Sequence, residues 1–177
     1  DVKFNVGIKA PYLFYDHDES TIPVFISTTY TFNRKFSAGL FTGFAQTRWY
    51  GPMYNIIYNR VAFGAMGTYH MNEDLKNHFN IPVNDENWDF YVNFFTGFSN
   101  YWFKQYWPTF PDHMAYPRKE LFFSPSLGVR YMPKPNIGFF AETGPGIMGA
   151  LSIGLVIKIE TGEDKVEKSG ETPQSQF

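Results

Sequence analysis

The chain has 177 residues and a formal net charge of −2, and its 20 Phe, 12 Tyr and 4 Trp make a fifth of it aromatic. Only 18% is charged, below the roughly 25% usual for soluble domains, which together with the aromatic share excludes a disordered chain. The absence of Cys excludes a disulfide scaffold and thiolate metal ligands, and near-neutral charge gives no electrostatic reason to expect nucleic acid as a partner.

Apolar and polar residues alternate with period two through most of the chain. The first segment, Asp1–Ala10, sets Val2, Phe4, Val6, Ile8 and Ala10 against Lys3, Asn5, Gly7 and Lys9. The second, Pro23–Phe32, sets Val24, Ile26, Thr28, Tyr30 and Phe32 against Phe25, Ser27, Thr29 and Thr31. Asn33-Arg34-Lys35 turns into a third, Phe36 to Gln46, and the fourth is Arg60–Tyr69. A turn or two of helix is expected at Glu73–Phe79, inside the connection His70–Asn87. The fifth segment is Trp88–Ser99 and the sixth Leu121–Met132, where Pro125 calls for a bulge, a bend or a shorter strand. Pro133-Lys134-Pro135-Asn136 turns into the seventh, Ile137–Gly144, and the eighth is Ala150–Ile159. The series predicts an all-β fold, an up-and-down antiparallel barrel of eight strands over residues 1–159. Residues 160–177 carry seven charges among Gly, Ser, Pro and Gln and form a charged tail that cannot bury enough apolar surface to fold alone.

The polar face decides whether such a barrel sits in water or in lipid. It holds nine glycines (Gly7, Gly39, Gly43, Gly64, Gly97, Gly128, Gly138, Gly144, Gly154), many Ser and Thr, and only seven charges: Lys3, Lys9, Arg60, Asp89, Arg130, Glu142 and Lys158. A face so poor in charge fits the narrow interior of a small barrel, and the Leu, Ile, Val and Phe face fits lipid. Strands of about 9–11 residues cross a bilayer when tilted. The longest mostly apolar run, Ile147 to Ile159, is too short for a membrane helix of about 20 residues. The charges are expected in two clusters, Lys9, Arg60 and Glu142 in the outer half and Lys3, Asp89, Arg130 and Lys158 in the inner. In that scheme Glu142 pairs with Arg60 or Lys9, and Asp89 with Arg130 or Lys3.

An N-terminus at Asp1 rather than Met is what removal of a signal peptide would leave. A periplasmic N-terminus makes odd strands rise and even strands fall, so both termini are periplasmic. Outer loops are then expected at Pro11–Ile22, Arg48–Asn59, Asn100–Glu120 and Pro145–Gly149. The third carries Tyr101, Trp102, Tyr106 and Trp107. These read either as a girdle at the headgroup level or as a docking surface for a protein or glycan. In the tail, Val166 and Phe177 are the candidate anchors for a partner.

Hydrolysis at the outer rim would need a His near a carboxylate and usually a Ser. The candidates there are His17, between Asp16 and Asp18 with Ser20 nearby, and His113 beside Asp112. Sequence neighbours on an extended segment do not face each other, so Asp16-His17-Asp18 is not itself a relay. A metal site from the same residues is equally weak, and no cofactor is expected. Phe25, Phe41, Met66, Tyr91, Phe95, Phe122 and Phe140 fall on the inward face and would plug a pore. The expectation is a protein without enzymatic activity.

Phe63-Gly64-Ala65-Met66-Gly67-Thr68-Tyr69-His70 with Asn72-Glu73, Trp88-Asp89-Phe90-Tyr91-Val92, Leu127-Gly128-Val129-Arg130-Tyr131, Gly138-Phe139-Phe140-Ala141-Glu142-Thr143-Gly144 and Leu151-Ser152-Ile153-Gly154-Leu155-Val156-Ile157-Lys158-Ile159 together resemble small outer-membrane β-barrel proteins of Bacteroidota. The resemblance covers Val2–Ile159 and implies an eight-stranded barrel of the outer-membrane protein X or W sort, integral to the cell outer membrane. Such barrels usually end at the last strand, whereas this chain continues into the charged tail. The partners implied are outer-membrane lipid and lipopolysaccharide, and a larger outer-membrane assembly in which the barrel is an accessory or structural subunit. Nutrient-uptake, protein-insertion and type 9 secretion machines are the candidates. The alternatives are a stand-alone structural or adhesive barrel, or a lipid A-modifying or other outer-rim hydrolase, although no His-x-Ser pattern of the lipid A deacylase type occurs.

Overall fold

The computed structural model describes residues 1–10, 18–20, 23–50, 55–107, 110–113, 118–144 and 151–159. The elements are β1 (Val2–Ala10), β2 (Asp18–Ser20), β3 (Val24–Thr31), β4 (Phe36–Tyr50), β5 (Asn55–His70), α1 (Asn72–Phe79), β6 (Trp88–Trp107), β7 (Phe110–His113), β8 (Arg118–Lys134), β9 (Ile137–Thr143) and β10 (Leu151–Ile159). Eight of the strands pair antiparallel in the order β1-β3-β4-β5-β6-β8-β9-β10, and β10 pairs back on β1 from Val2↔Ile159 to Ala10↔Leu151. The sheet therefore closes into the eight-stranded barrel that the alternation predicts. The short β2 and β7 add to the far ends of β4 and β6. Closure gives each of the eight strands a neighbour on both sides, the condition for carrying backbone through lipid.

The apolar face points out. On β10, Leu151, Ile153, Leu155, Ile157 and Ile159 are exposed while Ser152 and Val156 are buried. The same split separates exposed Phe4, Val6 and Ile8 from buried Asn5 on β1. Among the described residues, the exposed charges of the barrel strands, Arg48, Arg118, Lys119 and Lys134, lie toward strand ends.

Four strands run further than the alternation suggests. The β4–β5 ladder is continuous from Phe36↔Tyr69 to Tyr50↔Asn55, so most of Arg48–Asn59 is a two-stranded ribbon rather than a loop. β6 reaches Trp107 and β8 starts at Arg118, so Tyr101, Trp102, Tyr106 and Trp107 lie on a strand. Alternation marks a strand only where one face meets lipid and the other the lumen. Where the ribbon leaves both, that signal disappears while the ladder continues. Pro125 neither ends nor shortens β8, and stands opposite Phe94 in an unbroken register with β6. On the other flank the β8–β9 ladder runs, among the described residues, to Leu127↔Thr143, and Gly144 packs against the Pro125 carbonyl, where an added Cβ would come within 2.6 Å of that oxygen. The irregularity of β8 falls instead between Tyr131 and Lys134.

The expected helical turns are α1. Glu73 and Asp74 in its first turn and Lys76 and His78 in its last complement the helix dipole. Inside the barrel, Phe25, Phe41, Ala62, Met66 and Phe95 form an apolar cluster with Ala45 and Phe122 against it. Its rings sit 5.2 to 5.9 Å apart, centroid to centroid.

Candidate functional site

The end of the barrel that holds Asp1 and the short turns opens on a cavity of about 810 Å³. Lys3, Asp89, Arg130 and His70 line its floor, and residues from α1 and the following turn line its rim, among them Glu73, Asp85 and Glu86. Asp89 is the hub. It stands directly across the β6–β8 ladder from Arg130, whose Nη1 donates to Oδ2 at 2.6 Å. Lys3 reaches the same oxygen from β1 at 3.5 Å, and His70 Nδ1 meets Oδ1 at 2.7 Å. Lys158 pairs with Asp1 at 3.0 Å on the β1–β10 seam.

His70 extends the network around the wall to β4 and β3. Its Nε2 is 2.7 Å from Ser37 Oγ, which is 3.0 Å from Thr31 Oγ1. Ser37, His70 and Asp89 stand in the order of a serine nucleophile, a base and an orienting acid, although the Ser37 hydroxyl donates to Thr31 Oγ1 rather than to the imidazole. The surroundings differ from those of such an enzyme. Ser37 is buried and does not line the cavity. It is ladder-paired on both sides, to Thr31 and to Thr68, and the second oxygen of Asp89 is engaged by two cations. Acyl transfer would need a carbonyl at Ser37 Oγ and donors for the developing oxyanion.

Above this layer, Arg130 lies over the Tyr91 ring, its guanidinium carbon 4.3 Å from the centroid. The Tyr91 hydroxyl and Asn93 Nδ2 each donate to Glu142 Oε1 at 2.9 Å, and Thr68 Oγ1 donates to Asn93 Oδ1 at 2.6 Å. Gly128 makes room for this ring, because a Cβ there would strike the ring carbons of Tyr91. Glu142 therefore contacts the Tyr91 layer rather than Arg60, and its other expected partner, Lys9, has its side chain outside the described residues. Counting positions along strands ignores their tilt and stagger, and these bring Glu142 on the short β9 opposite Gly128. Arg60 lies higher, with Nε donating to Ser99 Oγ at 2.8 Å and the guanidinium carbon 4.5 Å from the Tyr101 ring centroid.

The other candidates divide. Tyr101 and Trp102 are half-buried. The side chains of Lys9, Tyr106, Trp107 and His113, and all of His17, Val166 and Phe177, lie outside the described residues. The sequence reading missed Ser37, Tyr91, Asn93 and His70 as site members. The available signal was that all four occupy the inward phase of their strands. Among the described residues, no group of three or more His, Asp or Glu is placed to hold a metal ion.

Below the lumen, α1 is tied to the barrel. The Tyr69 hydroxyl donates to Asp74 Oδ2, and Lys35 Nζ donates to Asp74 Oδ1 at 2.8 Å. The Lys35 bond holds the Asp74 carboxyl below its ordinary range and raises Lys35 in return.

A closed barrel with an apolar exterior, polar groups turned inward and a filled lumen is a transmembrane β-barrel. No protein-family model matches the chain, and no curated protein sequence matches it. Solved structures do. The outer membrane protein OprG of Pseudomonas aeruginosa aligns over 90% of this chain and 95% of its own at 11% identity, with a TM-score of 0.50. The N-terminal β-barrel domain of OprF from the same organism aligns over 88% and 95% at 10% identity, with a TM-score of 0.49. Ail, the attachment invasion locus protein of Yersinia pestis, aligns over 88% and 91% at 14% identity, with a TM-score of 0.44. At these identities the likeness is one of fold, and the fold is that of outer-membrane β-barrels.

Proposed function

We propose that this protein is a non-catalytic barrel of the outer membrane, of the Bacteroidota kind its strand motifs resemble, and an accessory or structural subunit of a larger outer-membrane complex. Both ends of the described barrel, at Asp1 and Ile159, then face the periplasm. The apolar belt meets membrane lipid, with lipopolysaccharide at the end of the long ribbons. The observation that carries this reading is the filled lumen. An ionic layer at one end and a Phe and Met layer above it occupy the space that a pore would use. A barrel that does not conduct acts through what it displays. Here that is the β4–β5 and β6–β8 ribbons with Tyr101 and Trp102, the folded connection with α1, and the charged tail.

Burial of Ser37 supports the non-catalytic reading, with the Ser37–His70–Asp89 relay serving to seal the lumen. The tail supports the subunit reading. Ordering a polar segment on a partner needs anchors that outweigh lost entropy, and Val166 and Phe177 are suited to that. Deleting Gly162–Phe177 leaves every described strand intact, so the barrel is expected to fold and to lose partners when it is purified from the native membrane. Unchanged co-purification after the deletion would refute the subunit reading.

A further inference from the structure

The connection between β5 and β6 is the described segment that neither lumen nor barrel wall accounts for. A hairpin needs about two to five residues, and this chain uses residues 71–87 and folds them into α1 and a turn. The two flanks of the segment differ. Asn72, Glu73, Asp85, Glu86 and Asn87 line the mouth of the cavity. On the other flank, Asp74 is bound by Tyr69, whose ring belongs to the outward face of β5 and lies 5.2 Å from that of Phe36. Asn72 fastens the helix to β6, donating to the Trp88 carbonyl at 2.6 Å and accepting from the Phe90 N–H at 2.8 Å. The helix is thus pinned beside the wall of the barrel.

After α1 the chain reverses sharply. Asn80 takes a φ of 54°, and the N–H groups of both Asn80 and Ile81 bond the Leu75 carbonyl, a helix stop that fixes the direction of the chain. It presents Phe79, 69% exposed, and Ile81, 47% exposed. Phe79 is as exposed as Phe123 in the lipid-facing belt. That belt reaches this end of the barrel through Trp88, 4.7 Å from Tyr131 and 6.3 Å from Phe90, ring to ring. Tyr and Trp of this kind settle at the headgroup level. The Arg34 side chain, 92% exposed, lies at the same end, 4.0 Å from Glu73 of α1.

We infer that this connection is an interfacial foot, lying in the adjoining phospholipid leaflet with Phe79 and Ile81 inserted at the headgroup–acyl boundary and Arg34 at the phosphate level. The polar flank faces the barrel mouth and the apolar tip faces lipid, the division expected of an element held in a membrane interface. The tie of α1, through Asp74, to the outward-facing Tyr69 and Phe36 pair favours lipid over a protein partner. The inference rests on the transmembrane-barrel fold and, for a phospholipid leaflet, on the periplasmic placement of this end proposed above; it is independent of the subunit role.

The lack of Cys in the chain makes the test direct. Phe79→Cys and Ile81→Cys are nitroxide-labelled singly in the full chain, reconstituted in phosphatidylcholine–phosphatidylglycerol vesicles. Collision with oxygen and with a water-soluble nickel chelate is then measured. Phe94→Cys provides the lipid reference and Glu86→Cys the aqueous one. Labels at 79 and 81 are expected to meet oxygen more than nickel, between the two references. Nickel access equal to that at position 86 would overturn the inference. So would exclusion of both reagents, which would indicate a second copy or another protein on this surface. Each position tests the inference alone, so it remains falsifiable if one variant fails to fold.

Discussion

The two layers of the lumen are held by different physics. Near the mouth, Asp89, Arg130, Lys3, His70, Tyr91 and Glu142 form a network in which each group depends on a particular partner. Above it, Phe25, Phe41, Met66 and Phe95 fill space, where volume matters more than identity. Buried charge is tolerated when it is paired and hydrogen-bonded, and removing one partner leaves the other uncompensated. The ionic layer should therefore be brittle and the aromatic layer forgiving.

The sharpest way to break that comparison is to match one substitution in each layer. Asp89→Asn leaves Arg130 and Lys3 without their counter-charge and should destabilise the barrel by about 3–5 kcal/mol. Phe95→Leu keeps the site apolar and should cost no more than about 1.5 kcal/mol. Urea unfolding in lipid vesicles compares the two, and equal losses would show that the layers do not differ in kind.

A smaller effect probes the seam of the ionic layer. At Gly128 an added methyl group would overlap Tyr91, whose ring carries Arg130 on one side and reaches Glu142 with its hydroxyl. Gly128→Ala should cost about 1–3 kcal/mol, the usual range for overpacking. The double variant with Tyr91→Phe should recover little, because the clash is with ring carbons as well as oxygen. Full recovery would mean that the hydroxyl, not the ring, sets the fit.

The aromatic layer was far more legible in sequence than the ionic one. Period two alone placed Phe25, Phe41, Met66, Phe95 and Phe140 inward, where the structure buries them. Inward phase is a one-strand property, and one strand suffices to read it. Partners in the ionic layer come from different strands, so they depend on tilt and stagger, which no single segment records. The sequence therefore showed Glu142 to be inward but not its bonds to Tyr91 and Asn93, and left His70 at the start of a connection, outside any site. Ribbon length was hidden for a related reason. The stretches Thr47-Arg48-Trp49-Tyr50 and Asn55-Ile56-Ile57-Tyr58 do not alternate apolar with polar in sequence, although their ladder continues.

The least expected perturbation lies outside the lumen, at the clasp of α1. Asp74 is held below its ordinary value of 3.8, chiefly by the Lys35 hydrogen bond and then by Tyr69. Lys35 is raised from 10.5, chiefly by the same bond. A carboxyl lowered in the folded state contributes stability above its unfolded value and loses it as pH falls through the folded one. A lysine raised in the folded state contributes below 10.5 and loses that contribution as pH rises through its folded value. The clasp should thus hold between these limits and loosen in acid once Asp74 protonates. Other groups share the region: Glu73 with Arg34 and Lys35, Asp85 with Lys76, and His78 at 4.0 Å from Asp74. Asp74→Asn separates its contribution from theirs. A nitroxide at Phe79→Cys should become more mobile as pH falls below about 4, near the carboxylate reference value. In the Asp74→Asn background it should already be mobile at neutral pH and gain little more in acid. An equally sharp acid transition in that background would assign the clasp to Glu73 and Asp85 instead.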